Sequence, residues 1–296
     1  MVGFLHSANI LFDNTKDQTV GNGDWIIDDN QPTPLPLALN LESDWSGAFS
    51  SWGYILYEEG HNVMTLPPSE EISFGNPNNQ HDLSNFDLFV MADPENNFTI
   101  DEINAMLAFV EQGGGLFLIG DAVYTDRNNN GEDSPDIWNR FGIENYFGMK
   151  FITSGLYASY SGDFIYGNFS HQILENNEYG NITSISFYVG ATMDIFPENN
   201  DTVEPLFWAR QIDVGTNNKV LAACCSYGSG KVVAVGDVEL IDDGTGSSAD
   251  DVLTNGWNKT NVTNKAFILS ATKWLINEIH LSDNDLSILD EMCSQY

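Results

Sequence analysis

The sequence predicts an α/β protein, with a doubly wound, mostly parallel sheet, helices on both faces and a strand-rich insertion in the second half. Three observations predict it. Short apolar runs of buried-strand character alternate with amphipathic helical patterns, giving the order β-α-β-β-α-β over residues 1–120. Within that stretch, residues 86–120 read as a complete βαβ unit, the connection that parallel strands require. From 149 to 211 the chain turns to short strand-like runs rich in aromatic residues and Asn, as expected of an insertion or an extension of the sheet.

Each element has a local reason. Asn9, Ile10, Leu11 and Phe12 form a first strand. Trp45, Phe49, Trp52 and Leu56 recur at helical spacing before Gly60, and a second strand follows at 62–66. After a strand at 86–92, the helix at 99–112 is the best marked. Thr99 and Glu102 form a capping box, Ile103, Met106, Leu107 and Val110 share one face, and Gly113, Gly114 and Gly115 end it. A strand at 116–120 and a short helix around Pro135, Ile137 and Trp138 follow. In the middle region, strands are expected at 151–153, 184–189 and 205–209. Residues 219–237 read as a hairpin turning at 226–230. A last helix at 264–279 would bury Phe267, Ala271, Trp274, Leu275 and Ile279. Residues 1–280 are thus expected to form one domain, followed by an acidic tail at 281–296.

Composition limits the partners. Ten Lys+Arg stand against 43 Asp+Glu, a formal net charge of −33, so nucleic acid and anionic membrane surfaces would be repelled. A hydrophobic fraction of 42% is enough for a sizeable core. No apolar run has the roughly 18 residues of a membrane span, so direct membrane insertion is not expected. The N-terminus has no basic, apolar leader pattern, as would also hold for a mature secreted domain. Asn97, Asn168, Asn181, Asn200, Asn258 and Asn261 open glycosylation sequons, many of them expected by chance in so Asn-rich a chain. An extracellular or cell-surface location is the expectation. The three cysteines, Cys224, Cys225 and Cys293, form neither a CxxC motif nor an even disulfide framework.

Chemistry is expected at the strand ends. Asp13, Asp121 and Asp237 each follow an apolar strand, with Asp93 a fourth. In an open parallel sheet such residues converge on one rim, where ligands bind. Crowded carboxylates repel one another, so a cation or a hydrogen-bonding ligand is the natural partner, and capping of turns by each Asp is the plain alternative. The segment 126–134 carries oxygen side chains at Asp126, Asn128 and Asn130 with Gly131 next, the start of a calcium loop. Position 12 is Ile137 where an EF-hand needs Glu, so the expectation is a looser Ca²⁺ site drawing on Asp121, Asp126, Asn128, Asn130, Glu132, Asp133 and Asp136, with a polar turn as the alternative. A ligand-binding set is expected from the loop after the first strand, with Asp13, Gln18, Asn22, Asp24 and Trp25, and from Asp237 and Glu239 after the hairpin. Trp25, Trp138 and Trp257 lie in segments near this rim, which suggests stacking on a glycan, with ordinary core packing as the alternative. No nucleophile elbow, HExxH, P-loop or GxGxxG occurs, and His6, His61, His81, His171 and His280 lack ligand spacing.

Residues 113–121 (Gly-Gly-Gly-Leu-Phe-Leu-Ile-Gly-Asp), behind the 99–112 helix and the 87–92 strand, resemble the class I glutamine amidotransferase-like superfamily, in its DUF4350-type branch. Ile10–Asp13 with Gln18, Thr19 and 22–25, then 126–128 with Asn130, and 230–237 extend the resemblance over nearly the whole chain. It implies a flavodoxin-like fold. In true amidotransferases a cysteine follows the strand equivalent to 116–120; here Asp121 stands there, so glutamine hydrolysis is not expected. The resemblance also implies histidines beside the first and fourth strand-end aspartates, where this chain has Lys16 nearby and Ala122.

Three functions follow from these residues. The first is a surface or extracellular Ca²⁺-binding domain without amidotransferase activity, holding a glycan or a small polar ligand. The second is a metal-dependent hydrolase of a sugar or ester, with Asp13, Asp121 and Asp237 around the ion. The third is a structural module beside neighbouring domains of a longer chain. The balance leans away from an enzyme.

Overall fold

A computed structural model describes residues 7–29, 44–154, 157–158, 166–175, 178–245 and 254–277. The expected positions of Ile279, Cys293 and the 281–296 tail lie outside them. In chain order the strands and helices are β1 (Asn9–Asp13), α1 (Ser50–Glu58), β2 (Asn62–Leu66), β3 (Leu88–Ala92), α2 (Ile100–Glu111), β4 (Gly115–Ile119), α3 (Ser134–Phe141), α4 (Ile143–Phe147) and β5 (Met149–Phe151). Then come β6 (Tyr157–Ala158), β7 (Tyr166–Gly167), α5 (Gln172–Glu175), β8 (Val189–Gly190), β9 (Met193–Ile195), β10 (Glu204–Trp208), β11 (Val220–Tyr227), β12 (Gly230–Val235) and α6 (Asn264–Leu275).

The main sheet is mixed, in the order β2-β1-β3-β4-β12-β11-β10-β7. Its first five strands run parallel, with Ile10 opposite both Val63 and Leu88, and Val235 opposite Ile119. The remaining strands are joined by antiparallel pairing: β12 returns along β11, β10 pairs with β11, and β5 and β9 add a short branch. The 149–211 segment therefore extends the sheet.

Alternation along the buried strands sends neighbouring residues to two separate cores. Ile10, Phe12, Leu88, Val90, Phe117 and Ile119 face one core, closed by Phe49, Trp52 and Leu56 of the α1 region and by Phe267, Ala271 and Leu275 of α6. Leu11, Phe89, Met91, Leu116 and Leu118 face the other, closed by Met106, Phe109 and Val110 of α2 and by Trp138 and Phe141 of α3. Helix α2 begins at the expected capping box: Thr99 Oγ1 accepts from Glu102 N at 3.2 Å and Glu102 Oε2 accepts from Thr99 N at 2.8 Å. No described helix is long and apolar enough to cross a membrane.

One expected strand differs. Of residues 184–189, only Val189 enters a regular strand, the two-residue β8. Residues 184–187 are all buried, as in a strand covered on both faces, but the backbone partners lie elsewhere. Ser184 N is bonded to Thr263 Oγ1 at 3.1 Å and Ser186 N to Asn264 Oδ1 at 2.9 Å. The start of α6 takes the place of a neighbouring strand. Close packing continues into the rim: a Cβ on Gly236 would lie 1.8 Å from the carbonyl oxygen of Ala191, so only glycine fits just before Asp237.

Candidate functional site

The parallel strands all end on one side, and there the expected aspartates arrive. Asp13 closes β1, Asp93 follows β3, Asp121 follows β4 by two residues, and Asp237 follows β12 by two. All four are buried. Asp93 has φ +40 and Tyr124, on the loop beyond Asp121, has φ +78, two strained backbone positions at the same rim.

The centre of the rim is occupied by a side chain the sequence argument did not single out. Arg127, on the loop after β4, reaches back over the strand ends. Its Nη1 donates to Asp93 Oδ2 in a very short contact, and its Nη2 donates to Asp121 Oδ2 at 2.9 Å. Glu95 Oε1 lies 3.6 Å from Nη1, and Glu95 Oε2 accepts from Arg127 N at 2.9 Å. The guanidinium lies 5.1 Å from the ring centroid of Trp25, whose indole Nε1 donates to Asp93 Oδ2 at 3.1 Å. The side chain is 5% exposed. One signal was available: a cation inside 126–133, in a chain with ten Lys+Arg, is conspicuous among acidic neighbours.

One guanidinium does not balance this many carboxylates. Asp121, Asp237 and Glu239 offer oxygens that lie within 4.8 Å of one another, and among the described residues this is the group able to share one metal ion. Asp121 Oδ1 and Glu239 Oε2 are buried and receive no hydrogen bond from an N–H or hydroxyl donor, while Glu239 lies within hydrogen-bonding reach of the Asp237 and Asp121 carboxyls. Asp237 is held by Tyr188 N at 2.5 Å and Glu239 N at 2.9 Å. Burial pushes Asp237 up to about 7, with the nearby Asp121 charge adding to the rise. Burial, then the charges of Glu239 and Asp93, holds Asp121 well above the usual carboxylate range, and burial with Asp237 does the same to Glu239. Glu95 is pushed up to about 8 by burial and by Asp93, while Arg127 is held charged beyond its ordinary range by Asp93, Asp121 and Glu239 against the effect of its own burial. Protons or a bound cation must neutralise what remains. Oxygen-only donors of this kind suit a hard ion such as Ca²⁺, Mg²⁺ or Mn²⁺.

The rest of the expected ligand set divides. Asp13 is tied locally: it accepts from Thr15 N at 3.1 Å, Thr15 Oγ1 at 2.9 Å and Gln18 Nε2 at 2.8 Å. Burial pushes it up to about 7, opposed by those bonds and by Lys16. Lys16 itself pairs with Glu102 at 2.7 Å. Asp24 is buried and Asn22 is exposed. Trp25, Trp138 and Trp257 are 3%, 0% and 3% exposed, so none offers an open face for a sugar; Trp25 backs Arg127, and Trp138 donates to Ile119 O at 3.3 Å.

In the 126–134 loop, the side chains serve the loop. Asp126 Oδ1 accepts from Asn130 N at 2.9 Å and Oδ2 from Gly131 N at 2.7 Å. Asn128 and Asn130 donate from Nδ2 to Glu95 O at 2.8 and 2.7 Å, which fastens the loop to the rim. Glu132 pairs with Arg140 at 2.7 Å, Asp133 Oδ2 accepts from Tyr124 N at 2.8 Å, and Asp136 lies in the first turn of α3. Of the seven residues expected to form a calcium loop, only Asp121 joins the three-carboxylate group.

The described cysteines make no nucleophile. Cys224 and Cys225 lie within β11, and burial raises both thiols. His171 Nε2 lies 3.4 Å from Cys224 Sγ, but His171 Nδ1 accepts from Ile173 N at 3.2 Å. The ring proton is therefore on Nε2, facing the sulfur, and the imidazole cannot take the thiol proton in that arrangement.

Beside Glu239 lies a cavity of about 260 Å³ whose lining includes Tyr188, Thr254, Asn255 and Lys259. Thr254 Oγ1 donates to Glu239 O at 3.1 Å, and Lys259 Nζ to Ser186 Oγ at 3.0 Å.

No family model and no curated protein matches this chain. Among solved structures, the N-terminal domain of mmIFT52 superimposes with a TM-score of 0.56 at 15% identity, over 92% of this chain and 100% of that one. A ThuA-like protein from Bacteroides uniformis gives 0.46 at 12% identity over 95% of each chain, and a cytoplasmic protein from Salmonella typhimurium 0.48 at 11%, over 91% of this chain and 97% of that one. The first likeness is one of fold, a mixed α/β architecture.

Proposed function

We propose that this chain is a flavodoxin-like α/β domain without amidotransferase activity that binds a divalent cation, Ca²⁺ foremost, at the C-terminal rim of its parallel strands and presents it to a small polar ligand. The observation that carries this is the approach of Asp121, Asp237 and Glu239 within 4.8 Å, with two of their oxygens buried and reached by no N–H or hydroxyl donor. The parallel strand order β2-β1-β3-β4-β12 supports the flavodoxin-like assignment, in which ligands bind at strand C-termini. The kinship with glutamine amidotransferase-like domains rests on the sequence resemblance, and Asp121 in place of the cysteine separates this chain from their chemistry. An extracellular or surface setting accords with the charge of −33 and with Ca²⁺ sites of extracellular modules, which work at about 10⁻⁴–10⁻³ M.

The test is the melting temperature in EDTA and then in millimolar Ca²⁺, Mg²⁺, Mn²⁺ and Zn²⁺. An ion at about 100 times its dissociation constant adds roughly 2.7 kcal/mol, and Asp121→Asn with Glu239→Gln should remove the gain. No rise with any ion would refute the proposal and leave the carboxylates protonated or structural.

A second function, metal-dependent hydrolysis of a sugar or ester, is favoured by the same buried cluster, whose ion would supply an activated water. Its ligand set would be Asp121, Asp237 and Glu239 in place of the set containing Asp13. A panel of model esters and glycosides with Mn²⁺, Mg²⁺ or Zn²⁺ tests it, and silence across the panel would sink it.

A further inference from the structure

We infer that the groove formed by the end of α4, the loop between β9 and β10, and the turn from β11 to β12 binds a short neutral saccharide, with Tyr146 and Tyr227 as its aromatic wall. The inference does not rest on the cation site proposed above. Gly228, on the groove wall, precedes the start of β12, whereas Asp237 follows the end of that strand, so groove and carboxylate rim lie at opposite ends of the parallel strands.

The groove is built before any ligand arrives. Its volume of about 540 Å³ is that of a small-molecule site. One side chain ties its walls together: Asn200 Nδ2 donates to Tyr146 O at 3.2 Å, near the end of α4, and to Ser226 O at 2.9 Å, in β11. Asn200 Oδ1 accepts from Thr202 N at 3.0 Å, which fixes the orientation of the amide. Asn200 opens one of the sequons, and with both amide hydrogens spent on the fold it serves as a clip between the walls. The rings are held as well. Tyr227 meets Tyr146 edge-to-face at 6.2 Å and Phe147 at 5.4 Å. A site ordered in advance costs little further entropy to fill.

The lining selects the class of ligand. Glu198 and Asp201 stand exposed on it, no described Lys or Arg belongs to it, and the chain carries a net charge of −33, so an anion is repelled. Among the described residues, the Tyr146 and Tyr227 hydroxyls and the Asn145 amide have no hydrogen-bond partner, so the groove offers donors as well as acceptors. Asn199 Nδ2 donates to Glu144 O at 3.1 Å, which leaves its Oδ1 as an acceptor. An organic cation would use the carboxylates and leave the phenol and amide donors idle. A sugar uses both: its hydroxyls donate to the carboxylates in charge-assisted bonds and accept from the phenols, while its C–H face rests on a tyrosine ring.

The experiment is titration calorimetry on the full chain with maltotriose, cellotriose, mannotriose and N-acetylchitotriose, in EDTA and again in millimolar Ca²⁺, with spermidine and glucuronate as competitors. At least one trisaccharide should bind, equally well in EDTA and in Ca²⁺, and neither charged competitor should displace it. Asp201→Ala combined with Tyr227→Phe should weaken that binding by about tenfold or more, the effect of losing one charge-assisted hydrogen bond and one neutral one. The double variant keeps the ring packing of Tyr227, so its melting temperature should match that of the parent and report that it is folded.

Silence from all four trisaccharides at millimolar concentration would overturn the inference. Displacement by spermidine would make the groove a cation site instead, and binding indifferent to the double variant would place the sugar elsewhere. Binding that appears only with Ca²⁺ would move the sugar to the carboxylate rim and overturn the inference in the same way.

Discussion

Arg127 donates from Nη2 to Oδ2 of Asp121 at 2.9 Å, so the protein supplies its own cation to the gap between the ends of β3 and β4. The contact is at once local and global. Six residues separate the partners, yet the same guanidinium reaches Asp93 and Glu95, over thirty positions earlier in the chain. The loop that carries Arg127 is thereby fastened to the sheet.

Arg127→Ala should be among the most damaging single substitutions outside the cores. It leaves Asp93, Asp121 and Glu95 buried without their cation, and removing one partner of a buried ion pair costs about 3–5 kcal/mol. The urea midpoint at pH 8 reads the effect, and the loss should shrink at pH 5, where the carboxyls with raised pKa values take up protons. A variant as stable as the parent at pH 8 would show that Arg127 does not balance the rim.

Loop and rim carboxylates should respond differently to metal. Asp126→Ala removes the acceptor for two backbone N–H groups, so the melting temperature should fall by the same amount in Ca²⁺ and in EDTA. Glu239→Gln should abolish the Ca²⁺-induced rise in melting temperature. The reverse pattern would return the ion to the 126–134 loop.

Without metal, stability should decline as pH rises from 5 to 8. Burial holds Asp13 and Asp237 at about 7 and Glu95 at about 8, against ordinary values of 3.8 and 4.5. In that window the folded protein keeps protons that the unfolded chain has lost, so each group weakens the fold by up to about 1.4 kcal/mol per pH unit until its folded-state pKa is passed. His171, lowered by burial, acts in the opposite sense below about 6.5 and is a single group against the raised carboxyls, Asp121 and Glu239 among them. Urea midpoints in EDTA at pH 5, 6, 7 and 8 should fall, and millimolar Ca²⁺ should flatten the decline, because the ion binds the ionised carboxylates. A midpoint that climbs over this range in EDTA would contradict the assignment.

Cys224 and Cys225 should be inert in the native state. Burial raises both thiols, and the His171 ring turns its proton toward Cys224. In a Cys293→Ser background, iodoacetamide should label neither cysteine in buffer and both in denaturant. Labelling within minutes in buffer would reopen Cys224 as a nucleophile.

What the one-dimensional pattern determined was whatever depends on neighbours along the chain. The Thr99–Glu102 capping box, the alternation of buried strands with helices at 3.6 spacing, the hairpin of β11 and β12, and the aspartates at the ends of β1, β3, β4 and β12 are all local chemistry, and they recur in the fold. Folding in three dimensions decided the rest. Residues 184–189 read as a strand from their β-branched and aromatic residues, yet Ser184 N and Ser186 N are bonded to Thr263 and Asn264, nearly eighty residues away. Trp25 stands beside polar residues in the chain, but the fold buries its ring beneath Arg127. Asp121, Asp237 and Glu239 were each visible as acids, whereas their approach within 4.8 Å is set by the pairing of β4 with β12 across more than a hundred residues. Charge balance is a sum over neighbours in space, so which acids face Arg127 and which are left to protons or an ion follows from the packing of the strand ends.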